Sequence, residues 1–318
     1  MSKRTAVKHT AKEREGLNPR QPCPCGSGRR YKACHGAAGG PPEVIVARPF
    51  GGLAAECELV ALREFVPSAT APLPLLGSPE REVTLATVLP VAAAALVRSD
   101  GRAFVGMQVQ IHSNDVGRDV ARSIRWALNA KPGDVLSVLP QDDTPPEDAE
   151  KLVDLIDPAA QLNPQLHPDF TWWMPEDSSE PTGDVALSLE RANAAILPTD
   201  RLNGVQAAYW VDAGQKAHLR WVRPEPEDNL LTAMARLAAR GELDLGEGSR
   251  FAGSFRAHGV LVPVWDLDRE MHAREWDEPA AALGERLDKA LASLETEPIT
   301  EAERRARDGL RGRQVTLR

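Results

Sequence analysis

The chain has no long apolar run. Its longest, Val91–Val97, falls far short of the ~20 residues a membrane-spanning helix needs. The first twenty residues are basic and lack the apolar centre of a secretory signal, which predicts a cytoplasmic protein. Cysteine is scarce, with four in 318 residues, and three of the four are clustered. That usage argues against a disulfide framework and for a metal site in a reducing compartment. Local catalytic signatures are missing too: there is no phosphate-binding G-x-x-x-x-G-K-[ST] loop, zincin helix, dinucleotide fingerprint or nucleophile elbow. Any catalytic site would have to be assembled from distant residues.

What is present is unevenly distributed. Residues 1–40 carry a net +7 within a chain of net −8, which leaves −15 on the rest. A basic arm on an acidic body suggests an element that seeks an anionic surface, or one that leans on its own body. Within that arm, "QPCPCGSGRRYKACHG" (21–36) places Cys23 and Cys25 one residue apart and Cys34 beside His35. Three thiolates and an imidazole make a closed tetrahedral zinc set with no position left for a substrate or a catalytic water. The intervening Gly26-Ser27-Gly28 allows the chain to wrap closely around a metal. The formal −1 of such a site would be offset by Arg29, Arg30 and Lys32. A metal would also explain how so short a segment folds without a hydrophobic core.

From Pro22 to Gly36 the sequence resembles, without a gap, the SEC-C motif, the zinc-binding module found at the C-terminus of the SecA preprotein translocase family. The resemblance implies zinc as a structural cofactor, with Cys23, Cys25, Cys34 and His35 as ligands. It also implies Arg29, Arg30, Tyr31 and Lys32 as a recognition face for an acidic protein surface, the ribosome or an export chaperone. Here the motif lies near the N-terminus and no ATPase signature follows it. The whole chain is similar to an actinobacterial SEC-C-containing family of unknown function, which brings no activity with it.

The expected organisation is a basic arm (1–20), a small zinc knuckle (21–38), a Gly/Pro-rich linker (39–50) and an α+β body (51–318). Leu53–Val66 reads as a helix with Ala55, Leu59, Leu62 and Val66 on one face. Cys57 falls among its apolar neighbours and reads as a packed thiol. Two stretches then look alike. Residues 94–110 form a hairpin pattern around Asp100-Gly101, followed by a helix carrying Val116, Val120, Ile124 and Leu128. Residues 207–223 repeat the hairpin around Ala213-Gly214, followed by a helix carrying Leu230, Met234 and Leu237. The same offset places Gly133 on Gly246. Strand-like 134–139 and 250–267 and helices at about 147–156 and 279–294 complete a tandem ββαβα-like pattern, with halves at about 80–160 and 195–295.

Several body residues invite a functional reading beside a plain one. Arg118, Arg122 and Arg125 share a helical stripe that could bind an anion. Equally, Asp115 and Asp119 stand at i, i+3 positions for local ion pairs on a solvated face. In "HPDFTWWMP", His167, Asp169, Trp172 and Trp173 could line a pocket or plug the core. In "HSND", His112 and Asp115 could be catalytic, or the stretch could simply cap a helix through Ser113 or Asn114. The Arg-rich tail 303–318 could bind anions or finish a helix. The leading expectation is a non-catalytic adaptor that docks through its knuckle. The rival is an enzyme with a cleft between the two halves of the body. Direct nucleic-acid binding by the arm is a third reading, disfavoured by the acidic body.

Overall fold

The computed structural model describes residues 20, 30, 46–142, 144, 148–175, 180–313 and 315. The chain divides into two compact units, Met1–Val46 and Ala47–Arg318, and every helix and strand named below belongs to the second. Of the expected knuckle (21–38), only Arg30 is described.

The body is α+β. A six-stranded mixed sheet is built from β1 (Ala69–Pro72), β2 (Val83–Ala86), β3 (Ala95–Val97), β4 (Ala103–Gly106), β5 (Val135–Leu136) and β6 (Gln165–Leu166), in the order β5-β3-β4-β2-β1-β6. All its pairs are antiparallel except β2 with β4. A five-stranded antiparallel sheet follows: β7 (Thr199–Arg201), β8 (Ala208–Asp212), β9 (Ala217–Trp221), β10 (Ser249–Ala257) and β11 (Val260–Leu267), in the order β10-β11-β9-β8-β7. The helices are α1 (Glu56–Glu64), α2 (Val116–Asn129), α3 (Gly183–Ala194), α4 (Glu227–Arg240), α5 (Asp277–Ala292) and α6 (Glu301–Arg311).

Strand alternation divides the apolar residues between two main cores. Tyr209 and Val211 of β8, with Val260 and Val262 of β11, join one core with α1, α2 and the first sheet. Ala208, Trp221 and Trp265 face the other, built on α4 and α5. The second sheet is therefore apolar on both faces. Helix α1 is buried almost throughout, and each fully buried Leu such as Leu59 or Leu62 contributes about 1.5–3 kcal/mol. A distant side chain takes one of its last carbonyls and one just beyond its end: Gln108 Nε2 donates to Leu62 O and Val66 O at 2.8 and 2.9 Å.

The turn chemistry matches the sequence expectation. Gly101 and Gly214 have φ of 87° and 89°, Gly133 and Gly246 of 94° and 102°, the left-handed region open to glycine. The order β-β-α-β occurs twice, as β3-β4-α2-β5 and β8-β9-α4-β10, but the strands are placed differently. β5 pairs with the first strand of its hairpin, β3, whereas β10 pairs with β11.

Other expectations are corrected. α1 starts at Glu56 rather than Leu53, because residues 50–53 form a turn and Ala54 N bonds Pro158 O at 2.8 Å. The helix expected at about 147–156 is a single 3-10 turn, Leu152–Asp154, among the described residues. There the backbone bonds outward instead, Leu76 N to Leu155 O and Asp157 N to Pro74 O, both at 2.8 Å. α2 is capped by Asp115, whose carboxylate accepts from Arg118 N at 3.0 Å, and not by Ser113 or Asn114. The expected strand 134–139 shortens to an edge of two residues.

The tail begins as α6, capped by Thr300 and Glu303. It then adds to the outer edge of β10: Ser254 N bonds Arg313 O, and Val315 N bonds Ser254 O, both at 3.0 Å. Gly253 makes this contact possible, since a Cβ there would lie 2.6 Å from Arg313 O.

A second close approach gives a prediction with two signs. Gly117 lies in the first turn of α2, and a Cβ would stand 2.3 Å from Pro49 O. Gly117→Ala is expected to destabilise by about 1–3 kcal/mol, as overpacking does, although Gly→Ala usually favours a helix. Gly309→Ala in α6, with nothing within 4 Å, is expected to stabilise by about 0.5–1 kcal/mol. Urea unfolding of both variants checks the pair.

Candidate functional site

The four expected zinc ligands, Cys23, Cys25, Cys34 and His35, lie outside the described residues, as do Arg29, Tyr31 and Lys32. Arg30 is described and exposed. Among the described residues no group of three or more His, Cys, Asp or Glu could hold a metal ion. The donor set of the motif, three thiols and an imidazole, is one whose chemistry suits zinc. Cys57 is of another kind. Burial pushes its thiol up to about 12, which keeps it protonated and inert.

The structure brings the three arginines of α2 together, and it supplies partners that the sequence did not suggest. Arg118 Nη2 donates to Asp142 Oδ2 at 2.5 Å and to Thr144 O at 2.8 Å. Arg122 Nη2 donates to Pro140 O at 2.6 Å, with its Nε 3.4 Å from Asp142 Oδ2. Arg125 grips Glu150 with two bonds of 2.8 and 2.5 Å. Asp115 and Asp119, the expected local partners, are otherwise engaged: Asp115 caps the helix and Asp119 accepts from Ser113 N and Oγ at 2.7 and 2.9 Å. The Thr144 hydroxyl and amide, aided by Arg118, hold the Asp142 carboxyl well below the usual carboxylate range. Its charge persists at any ordinary pH.

The tryptophan loop closes over the first sheet. Trp172 Nε1 donates to Ser68 Oγ and Trp173 Nε1 to Val88 O, both at 3.0 Å. Arg98 holds the loop by donating to Trp172 O and Met174 O at 2.9 and 3.0 Å. His167 meets Thr70 Oγ1 at 2.8 Å, and burial lowers its pKa. His112 lies elsewhere, beside a cavity of about 10 Å³ that also touches Arg63, Asp119 and Ser123. That is room for about one water. Of His112, His167, Asp169 and Arg122, only His112 lines this cavity.

Two buried polar networks went unforeseen. Glu58, 2% exposed, accepts from Arg201, Ala207 N and Tyr209 OH. Arg236, 1% exposed, donates to Glu303, Ser293 and Glu297 O. Both join elements that lie far apart in the sequence. Their partners stand up to 151 residues apart, and no local pattern signals them.

By fold and motif this is a SEC-C protein with an α+β body. Residues 20–37 match the SEC-C motif, and residues 49–318 match a family of unknown function (DUF5926). The chain belongs to that family, whose model spans most of its length. A 26-residue stretch is 58% identical to the protein translocase subunit SecA of Rubrobacter xylanophilus, covering 8% of this chain. The matched stretch is 3% of that relative's own length. No solved structure matches the chain. No helix among the described residues is long and apolar enough to cross a membrane.

Proposed function

We propose that this protein is a zinc-dependent adaptor. Cys23, Cys25, Cys34 and His35 hold one zinc ion, and Arg29, Arg30, Tyr31 and Lys32 dock the knuckle on an acidic surface in the cytoplasm. The SEC-C match over residues 20–37, with all four donors in place, carries the reading. A zinc ion with four protein ligands folds its loop and leaves no open position for chemistry. The docking step is electrostatic, with guanidinium and ammonium groups meeting carboxylates or phosphates. The SecA relative is a protein translocase subunit, which supports a partner in translocation; an export chaperone or the ribosome would offer an acidic surface of the right chemistry.

The purified full-length protein is expected to contain about one zinc per chain, as a closed four-ligand site requires. Cys34→Ser is expected to remove the metal and leave the thermal unfolding of the body unchanged. Capture of acidic partners at low salt should be lost with it. A wild-type protein that takes up no zinc, or a metal-free variant that captures partners undiminished, overturns the reading.

A further inference from the structure

The arginine stripe of α2 belongs to a body that is otherwise strongly acidic. Arg118, Arg122 and Arg125 follow at spacings of four and three, so their stems share one helix face. What they hold is a peptide, with both its carboxylates and its carbonyls. Asp142 and Glu150 supply the carboxylates, and Pro140 and Thr144 supply carbonyl oxygens to Arg122 and Arg118. Residues 140–150 contain Asp142, Asp143, Glu147, Asp148 and Glu150, three prolines and no Lys or Arg. None of the described residues among them lies in a helix or strand. The Arg125–Glu150 pair lies at the surface, 53% and 38% exposed, whereas Arg118 and Asp142 are 15% and 23% exposed. The exposed pair is individually weak and exchangeable.

We propose that the Arg118–Arg122–Arg125 face is a docking site for an acidic, proline-containing protein segment, and that residues 140, 142, 144 and 150 of the same chain occupy it in the structure. Paired carbonyl and carboxylate acceptors at the first two arginines favour a polypeptide over nucleic acid, whose backbone offers phosphates instead. This proposal does not rest on the zinc reading of residues 21–38.

The probe is a fluorescent peptide with the sequence of residues 140–150, added to full-length protein and followed by anisotropy. Removing the resident carboxylates with Asp142→Asn/Glu150→Gln is expected to tighten binding of the probe about tenfold, the scale of losing one exposed and one half-buried ion pair from a competitor. Adding Arg118→Gln, Arg122→Gln and Arg125→Gln should abolish the gain. If that combined variant does not fold, Arg125→Gln added to the pair should weaken the probe about threefold, as loss of one exposed pair does. An uncharged Asn/Gln version of the peptide should not bind, and Cys34→Ser should change nothing. Equal affinity for wild type and Asp142→Asn/Glu150→Gln overturns the proposal. So does a gain that survives loss of the arginines, depends on Cys34, or is exceeded by a single-stranded oligonucleotide.

Discussion

Glu58→Ala is expected to lower the stability of the body by about 3–5 kcal/mol, the cost of breaking a buried charge pair from one side. The carboxylate is an acceptor shared by two strands and the bend between them. Arg201 of β7 donates from Nε and Nη2 at 2.9 and 2.6 Å, Ala207 N at 3.0 Å and the Tyr209 hydroxyl of β8 at 2.5 Å. Tyr209 and Ala207 have no exposure of their own, so water cannot replace the lost acceptor. Ala207 is also held at φ 50°, a conformation that non-glycine residues rarely adopt without support. Burial and the neighbouring Glu58 charge keep the Tyr209 hydroxyl protonated, its pKa well above the ordinary value. Because α1 shares a core with both sheets, the loss should fall on global unfolding. The urea midpoint should drop with an unchanged slope. Glu58→Gln keeps an acceptor oxygen but turns an amide donor toward donors, and should cost about 1.5–3 kcal/mol, the range for a hydrogen bond to a charged group. A loss under about 1 kcal/mol for Glu58→Ala would reduce the network to an ordinary surface pair.

Arg236→Ala is the second large effect, again about 3–5 kcal/mol, but at the other core. Arg236 Nε meets Glu303 Oε1 at 3.0 Å, and its other nitrogens reach Ser293 and Glu297 O at the turn between α5 and α6. Without the guanidinium, Glu303 is left charged in a buried position. Glu303 also accepts from Thr300 N at 2.8 Å as part of the α6 cap. The double variant Arg236→Met/Glu303→Leu should therefore recover all but about 1 kcal/mol, the worth of a lost cap. The pH dependence has a definite sign. Burial works against the Glu303 carboxylate, but the Thr300 amide and Arg236 outweigh it, so its pKa lies below the ordinary glutamate value of about 4.5. The stabilisation is then complete above that value and is lost as pH falls through the lower folded pKa. Urea midpoints from pH 6 to 3 should fall less steeply in Arg236→Ala than in the wild type. Parallel falls would detach the pair from the acid limb.

The contrast between these networks and the motif shows what a linear reading reaches. The proposed ligands Cys23, Cys25, Cys34 and His35 stand out because four metal-binding residue types lie close together in the sequence. Hairpins at Gly101 and Gly214 were legible for the same reason: a turn is a local event governed by φ at one residue. α2, α4 and α5 showed their apolar spacing. Glu58 is different. It stands in the run "CELVAL", where a lone carboxylate gives no hint of an arginine 143 positions away. The arginine stripe was legible as a face, but its partners were not, because Asp142 and Glu150 sit in a stretch whose path is set by tertiary contacts. The helix expected at about 147–156 failed for a related reason: its apolar residues bond sideways to residues 74–76.

The backbone bonds of residues 313 and 315 to Ser254 have a further meaning for the edge of the second sheet. A sheet margin with unmated amides is adhesive toward any extended chain, and β10 is nine residues long. Here that margin is sealed by the chain itself, at the one place where Gly253 lets a backbone come close. Colloidal behaviour and fold stability are thereby partly uncoupled. Lifting residues 313 and 315 off β10 would open unpaired backbone groups at Ser254 to any extended chain.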